Sequence, residues 1–418
     1  MTSAPRRAGV LLTLILAGLS MFGPFNVDAP LPAFGEMGAE FHVEPAAMQL
    51  VVSVYLLAFA LMSLLHGPMS DAVGRRPVML IGIGVYVVAS IGCALSTSLT
   101  MLLVFRMFQG FAAGAGQIIA RTVIRDLFEG AEAQRLMSQV SMIFGVAPAV
   151  APVLSGLLLQ VGSWRTIFWF LVAFGIIMAV SVALSLPESL PAEHRTPLRV
   201  GSLVSGLLAA MRSGRFMRVA FAAAFSFAGQ FLYISAAPLF LIGLLGLGES
   251  DFWVFFVPMV ACMITGSWTS GRLAGRVTSD RQITYGLGFA LLAASAGAIV
   301  SVTPVGDVLP WAIVAPALIA YGIGLSLPTL QIAMLDQFPH ARGSAASAGT
   351  FVNLVTSALV AGLVAPFAAE SAWTMAVTAL GLVMLGAAMW LWHLVSTRPV
   401  NALRQSVRRT VPGSSRRS

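Results

Sequence analysis

The sequence predicts an all-α integral membrane protein of about twelve transmembrane helices, and three observations carry that expectation. The 418 residues are 58% hydrophobic and only 10% charged, with a mean hydropathy of +0.90. A soluble domain carries about 25% charge and about 45–50% apolar residues. The apolar excess falls into repeated runs of roughly 20 residues, the length a helix needs to cross about 30 Å of hydrocarbon. The runs are continuous and lack a two-residue alternation, so their backbone is satisfied as helix and not as barrel strand.

In chain order the spans are read at 9–31, 47–66, 78–97, 100–120, 137–160, 164–186, 217–245, 252–271, 282–303, 310–333, 344–367 and 372–395. The first follows Arg6-Arg7. Its apolar stretch is too long for a signal-peptide core and has no convincing small-residue cleavage site, so it reads as a retained helix. Charge then sets orientation. With a cytoplasmic N-terminus, the inner segments hold Arg75, Arg76, Arg121, Arg125, Arg135, the arginines of the 187–216 segment, Arg272, Arg276, Arg281, Arg342 and the arginines beyond 395, while the outer loops hold only Arg165. The outer side carries Glu36, Glu40, Glu44, Glu249, Asp307 and Glu370 instead. An even number of spans puts both termini inside, as expected for a multi-pass protein of a bacterial inner membrane.

The polar segment 187–216 separates six spans from six. The expected domains are therefore a bundle over 1–186, a cytoplasmic linker, a second bundle over 217–396, and a basic tail over 397–418. A faint internal echo agrees, because Gly67 to Arg76 follows span 2 and Gly271-Arg272-Leu-Ala-Gly275-Arg276 follows span 8, about half a chain later. The tail is most simply a contact for anionic lipid, not for nucleic acid.

Several function classes drop out. All 24 basic residues are Arg, and a phosphate-binding Walker loop needs its Lys. Energy must then come from a gradient, from downhill flow, or from another subunit, with no cofactor implied. Cys93 and Cys262 lie in separate apolar runs, and the five His at 42, 66, 194, 340 and 393 have no metal-ligand spacing. An intramembrane enzyme would need paired acids, a metal set or a nucleophile with its base inside spans, so the chain is not expected to be an enzyme.

A few residues stand out against this apolar background. Asp28 is the acid of span 1, close to its outer end. It reads either as an outer-loop carboxylate or as a titratable group in an irregular segment. Pro24, Pro30 and Pro32 make the helix irregular there, which is tolerated only where backbone lines a cavity or protein. Asp71 faces Arg75 and Arg76 in the connector after span 2, where the positive-inside rule asks for no acid. Gly67 would free that connector to turn. Arg106 lies inside span 4, where a charge costs at least a few kcal/mol and by default marks function; snorkelling to the outer interface is the other reading. Arg106, Gly110, Ala113 and Gln117 share one helical face, a polar and small-residue stripe that suits an interior. Spans 1 and 4 are antiparallel, so Asp28 and Arg106 can meet at similar depth. In span 5, Gly145, Ala149, Pro152 and Gly156 share a face that admits a close neighbour, and Pro148 and Pro152 bend the helix. Asn26, Tyr55, Gln117, Gln230, Tyr233 and Asn353 are polar groups within spans. Each is a candidate for the substrate cavity or a helix–helix hydrogen bond. Abundant Phe and Met with few charges suit a small hydrophobic substrate.

Four of these patterns carry a family resemblance. Gly67-x-x-x-Asp71-x-x-Gly74-Arg75-Arg76 resembles the signature between helices 2 and 3 of the major facilitator superfamily. Leu103-x-x-Arg106-x-x-Gln109-Gly110 resembles its second motif. Gly145-x-x-Pro148-x-x-x-Pro152-x-x-x-Gly156 is similar to the antiporter motif. Asp28-Ala-Pro-Leu31-Pro32-Ala33 is similar to the Asp-x-Tyr-Leu-Pro-Ala of the bicyclomycin/chloramphenicol-resistance (Bcr/CflA) branch of drug:proton antiporters, with Pro30 where that branch has Tyr. The motifs cover the first half strongly and the second half weakly.

The resemblance implies two bundles of inverted three-helix repeats working by alternating access, and a monomer. It implies that Asp28 carries the coupling proton beside Arg106. It also implies a latch in which Asp71 accepts from Arg and from the N-terminus of a second-half helix near Ser344. Span 5 would then seal the outer half. The expected function is proton-driven efflux of drugs or other small hydrophobic compounds. The alternative is a proton-coupled importer or facilitator of a small metabolite with the same fold.

Overall fold

A computed structural model describes residues 10–128, 130–195, 200–338 and 342–410. Within its helices the side chains of 10, 130–135, 137–139, 141–145, 200, 202–204, 342–344 and 398–410 are left undescribed, as is that of residue 194. The described chain is helical throughout, apart from turns and a single isolated bridge between Ala274 and Val277.

The first half comprises α1 (Val10–Ser20), α2 (Phe22–Asp28), α3 (Phe34–Phe41), α4 (Leu50–Val73), α5 (Arg75–Ala94), α6 (Leu99–Leu127), α7 (Gly130–Leu159) and α8 (Arg165–Ser185). After α9 (Val200–Arg212), the second half comprises α10 (Gly214–Ser235), α11 (Phe252–Leu273), α12 (Ser279–Val300), α13 (Trp311–Asp336), α14 (Arg342–Leu359), α15 (Ala365–Ala368) and α16 (Ala372–Thr410). Among the described residues, ten helices are long and apolar enough to cross a membrane, and eleven if the bent pair Leu11–Ser20 and Phe22–Phe41 is one span. Helix α7 has 30 residues, of which Val146–Leu159 is apolar.

The pairings repeat between halves. Helix α4 packs on α6 and α5 on both α6 and α8; correspondingly α11 packs on α13 and α12 on both α13 and α16. Between halves, α4 meets α14 and α7 meets α11. Ser53 donates to the Ala358 carbonyl at 2.8 Å across the first of these joints.

Four expected boundaries change. The first span does not stop at 31. The chain bends by 48° near Met21, passes through a 3₁₀ turn at Leu31–Ala33, and stays helical to Phe41, where His42 closes it with φ 55°. Proline is tolerated in the first turn of a helix, so Pro32 restarts the helix where the sequence reads a stop. Glu36 and Glu40 thus sit on a helix and not in a loop. Secondly, the signature after span 2 is not a ten-residue connector: α4 runs on through Gly67 and Pro68 to Val73, and only Gly74 separates it from α5. Gly67 makes no turn; Gly74, at φ 117° and ψ 153°, does so in a region that side chains other than hydrogen rarely adopt. Thirdly, the linker contains α9, which packs on α10 and α14 with Ala210 buried. Lastly, the final helix continues past the expected end of its span at 395 to Thr410, into the segment expected to be the basic tail. Two π-helical stretches, Pro238–Leu244 and Val360–Val364, interrupt the second half at its less Arg-rich end.

Candidate functional site

The prolines of the first span explain the site at its centre. Pro30 has no N–H, so the Asn26 carbonyl four residues earlier loses its helical donor. Arg106 supplies the replacement: its Nη2 donates to Asn26 O at 2.9 Å, its Nε to Val51 O at 3.1 Å, and its Nη1 to Gln109 Oε1 at 2.9 Å. The guanidinium is fully buried and lies 4.5 Å from the centroid of the Tyr55 ring. One arginine therefore fixes α2, α4 and α6 together, and it is not snorkelling.

The network extends outward from there. Tyr55 donates to Phe22 O and Gly23 O, both at 3.2 Å. Tyr86 donates to Asn26 Oδ1 at 2.7 Å, and Asn26 Nδ2 donates to Phe22 O at 2.6 Å. Gln109 Nε2 donates to Ser90 Oγ at 2.8 Å. The small stripe on α6 makes this approach possible. A methyl on Gly110 would lie 2.3 Å from the Tyr55 carbonyl, and one on Gly23 would lie 1.9 Å from Gln117 Oε1.

Asp28 sits two residues beyond Asn26, is 3% exposed, and has its Oδ1 without a hydrogen-bond partner. Similar depth does not bring it to Arg106: among the described residues no ion pair joins them, because neutral acceptors occupy the guanidinium. Arg106 holds the backbone that presents Asp28, and leaves the carboxylate itself uncompensated. That carboxylate lies inside the protein and is not an outer-loop group.

The remaining polar candidates divide. Asn26 and Tyr55 are committed to the arginine network. Among the described residues, Gln117, Gln230 and Asn353 each keep a side-chain oxygen without a partner, and Gln230 Nε2 lies 3.9 Å from the Met263 sulfur. Tyr233 packs edge-on against Phe240, 5.5 Å between centroids.

At the Arg-rich end, Asp71 pairs with Arg75 across the corner at Gly74. Arg75 also reaches Ser70 Oγ at 2.6 Å and Asp126 Oδ2 at 3.0 Å. Glu188 accepts from the Arg75 and Arg76 backbone N–H groups at 3.0 and 3.2 Å, neutralising the positive end of α5. Arg76 donates to the Ala183 carbonyl. The expected partner of Asp71 near Ser344 lies outside the described residues. Asp126 and Glu188 were not singled out in the sequence, although an acid directly after a span, in Leu186-Pro187-Glu188, is the signal that marks it.

At the opposite end, Gly156 touches the other half: a methyl there would meet the Glu249 carbonyl at 2.8 Å. Pro148 is half-buried and Pro152 buried. Gly145 lies on the same helix, with its surroundings outside the described residues. Trp164, fully buried, donates through its backbone to Glu36 at 2.9 Å and through its indole to Glu40 at 2.8 Å.

Long apolar helices, charges turned inward and a helix joined to its partners by a buried arginine define a multi-pass membrane protein. Residues 10–361 match the family model described as Major Facilitator Superfamily, and the chain belongs to that superfamily of transporters. It is 30% identical to the "Uncharacterized MFS-type transporter YdgK" of Bacillus subtilis, over 84% of this chain and 88% of the relative. It is 27% identical to the "Bicyclomycin resistance protein homolog" of Haemophilus influenzae, over 89% and 93%. Among solved structures it resembles a bacterial homolog of the human lysosomal transporter Spinster in an inward-facing, unoccupied conformation, with a TM-score of 0.71, 19% identity and 94% and 98% of the two chains covered. That likeness is one of fold.

Proposed function

We propose that this transporter is a proton-coupled exporter of small hydrophobic compounds, drugs among them, working by alternating access in a bacterial inner membrane. Twelve spans, with α7 and the bent first pair each counted as one, form two six-helix bundles about a cytoplasmic linker, with the Arg-rich end and both termini cytoplasmic. The observation that carries the reading is Asp28. A buried carboxylate without a counter-ion in a membrane-spanning segment costs several kcal/mol if ionised and little if protonated, so it binds a proton in this conformation and releases it when the cavity admits water or substrate. One proton moved down about 100 mV is worth roughly 2.3 kcal/mol, enough for a modest outward gradient. The drug-resistance name of the Haemophilus relative supports export over import, and the span-5 motif agrees.

The test is flux in proteoliposomes under an imposed pH gradient. Wild-type protein should move a lipophilic probe uphill against the proton flow, and Asp28→Asn should carry it only downhill. Equal uphill flux in both would remove Asp28 from coupling. Flux that runs with the proton would favour the importer.

A further inference from the structure

The rim where Gly156 meets the second half holds an arrangement that coupling through Asp28 does not use. Glu249, half-buried in the loop before α11, spans the joint. Its backbone is trapped under α7, where a methyl on Gly156 would lie 2.8 Å from the Glu249 carbonyl and 3.3 Å from Ser250 Cα. Its carboxylate points to the first half, with Oε1 3.8 Å from where a methyl on Gly35 would sit. The next residue is Glu36, itself fixed by the Trp164 N–H. Burial raises the Glu249 carboxyl above its usual range, and the charge of Glu36 raises it further.

Among the described residues neither acid is in an ion pair, and the one cation that the charge of Glu36 reaches is Arg165, which is committed elsewhere. Arg165 is held by both oxygens of Glu40 at 2.5 and 2.8 Å and by the Ser96 carbonyl at 3.1 Å. Asp251, the other nearby acid, accepts from Gly248 N–H in its own loop at 2.9 Å. Helix α7 offers Gly156, Leu159 and, just beyond, Gln160, all uncharged. These three, with Glu249 and Ser250, line a cavity of about 380 Å3.

We propose that Glu249 and Glu36, one from each half, form a proton-operated clasp: protonated, it lets the outer rim close, and ionised, it drives the halves apart. The sign follows from linkage. A carboxyl that binds its proton more tightly in the closed state than in the open one stabilises closure as pH falls and opposes it as pH rises from the ordinary carboxylate range through the raised value. Acid outside would therefore shut the outer entrance, the direction that carries a loaded proton inward. The clasp rests on the alternating-access reading but not on export or on Asp28.

The test is a distance between spin labels at Val161→Cys and Val305→Cys, exposed positions on the rims of the two halves. Purified protein carries Asp28→Asn, so that group contributes nothing, and Cys262→Ser, Cys93 being buried. Between about pH 8 and pH 5 the distance should shorten. Glu249→Gln should hold it short throughout. Glu36→Gln should lower the midpoint by about one pH unit, since a repelling charge is gone. Gly156→Leu should hold the rim open at every pH. If Gly156→Leu opens the rim while Glu249→Gln and Glu36→Gln follow the unmodified curve, the clasp is overturned and alternating access stands. If Gly156→Leu leaves the distance short, the rim is no gate and both readings fall. Should Glu249→Gln not fold, the Glu36→Gln midpoint alone decides: displaced, the clasp holds; unmoved, it fails.

Discussion

Arg106 binds backbone carbonyls and an amide, and that choice separates two jobs that a salt bridge would have merged. A guanidinium paired with Asp28 would stabilise the ionised acid; one spent on Asn26 O and Val51 O instead fixes the helix and leaves the acid without that partner. Replacing it should therefore hurt structure first. Arg106→Ala leaves the Asn26 carbonyl without its donor and should lower stability by on the order of 3 kcal/mol, read as a fall in the thermal midpoint in detergent. Arg106→Lys should recover little, since one ammonium cannot reproduce a planar fork reaching three acceptors. Asp28→Asn should do the reverse: the fold holds, while substrate binding measured from about pH 5 to 9 loses its pH dependence. A curve identical to wild type would mean the proton resides elsewhere. The sequence shows both residues, because charges in apolar runs are conspicuous. It does not show that they are unpaired. That follows from Pro30 freeing a carbonyl, a consequence visible once Arg106 is seen to reach it.

At the scale of the element, the helices were legible and their interruptions were not. Runs of about 20 apolar residues mark spans by length alone, and each expected span from the second to the last falls on helical chain, the seventh and eleventh with a π stretch inside them. Pro32, read as an end, instead begins the extension that carries Glu36 and Glu40. Gly67, read as a turn, lies within a helix, and the chain breaks only seven residues later, at Gly74. The π stretches at Pro238–Leu244 and Val360–Val364 have no signature in an apolar run, where every register looks alike. Gly74 can be tested directly. Gly74→Ala puts a side chain at φ 117° and 2.7 Å from Glu188 Oε2, so it should cost about 1–3 kcal/mol and loosen the α4–α5 corner, seen as faster hydrogen exchange in residues 70–78. Asp71→Asn removes the ion pair but no cap; transport should fall sharply while substrate affinity in detergent stays within about twofold. Wild-type flux in vesicles carrying that variant would remove the latch.

For the molecule as a whole, the repeated pairing of α4 with α6 and of α11 with α13 gives two similar bodies that touch along α4–α14 and α7–α11. The sequence foreshadowed this in the echo between the segments after spans 2 and 8, and the structure gives it a shared form: the first ends at Gly74 and the second turns at Gly275, both with positive φ. The acids differ, however. The first corner is stitched by Asp71, Asp126 and Glu188, whereas in the second Arg272 lies over the Trp268 ring at 3.8 Å. The two corners are alike in shape and unlike in charge, although the scaffold repeats.

The single residue between α4 and α5 has a mechanical meaning. Two rods joined by one bent peptide, with the second rod's first N–H groups held by Glu188, behave as an elbow with very little play. Tilting α4, the helix that meets the second half through Ser53, must swing α5 and its contacts on α6 and α8 with it. Displacement at the interface is then delivered to the back of the first half without being lost in slack. Splicing two glycines in after Gly74 would turn that elbow into a hinge and uncouple the rods while leaving every binding residue in place.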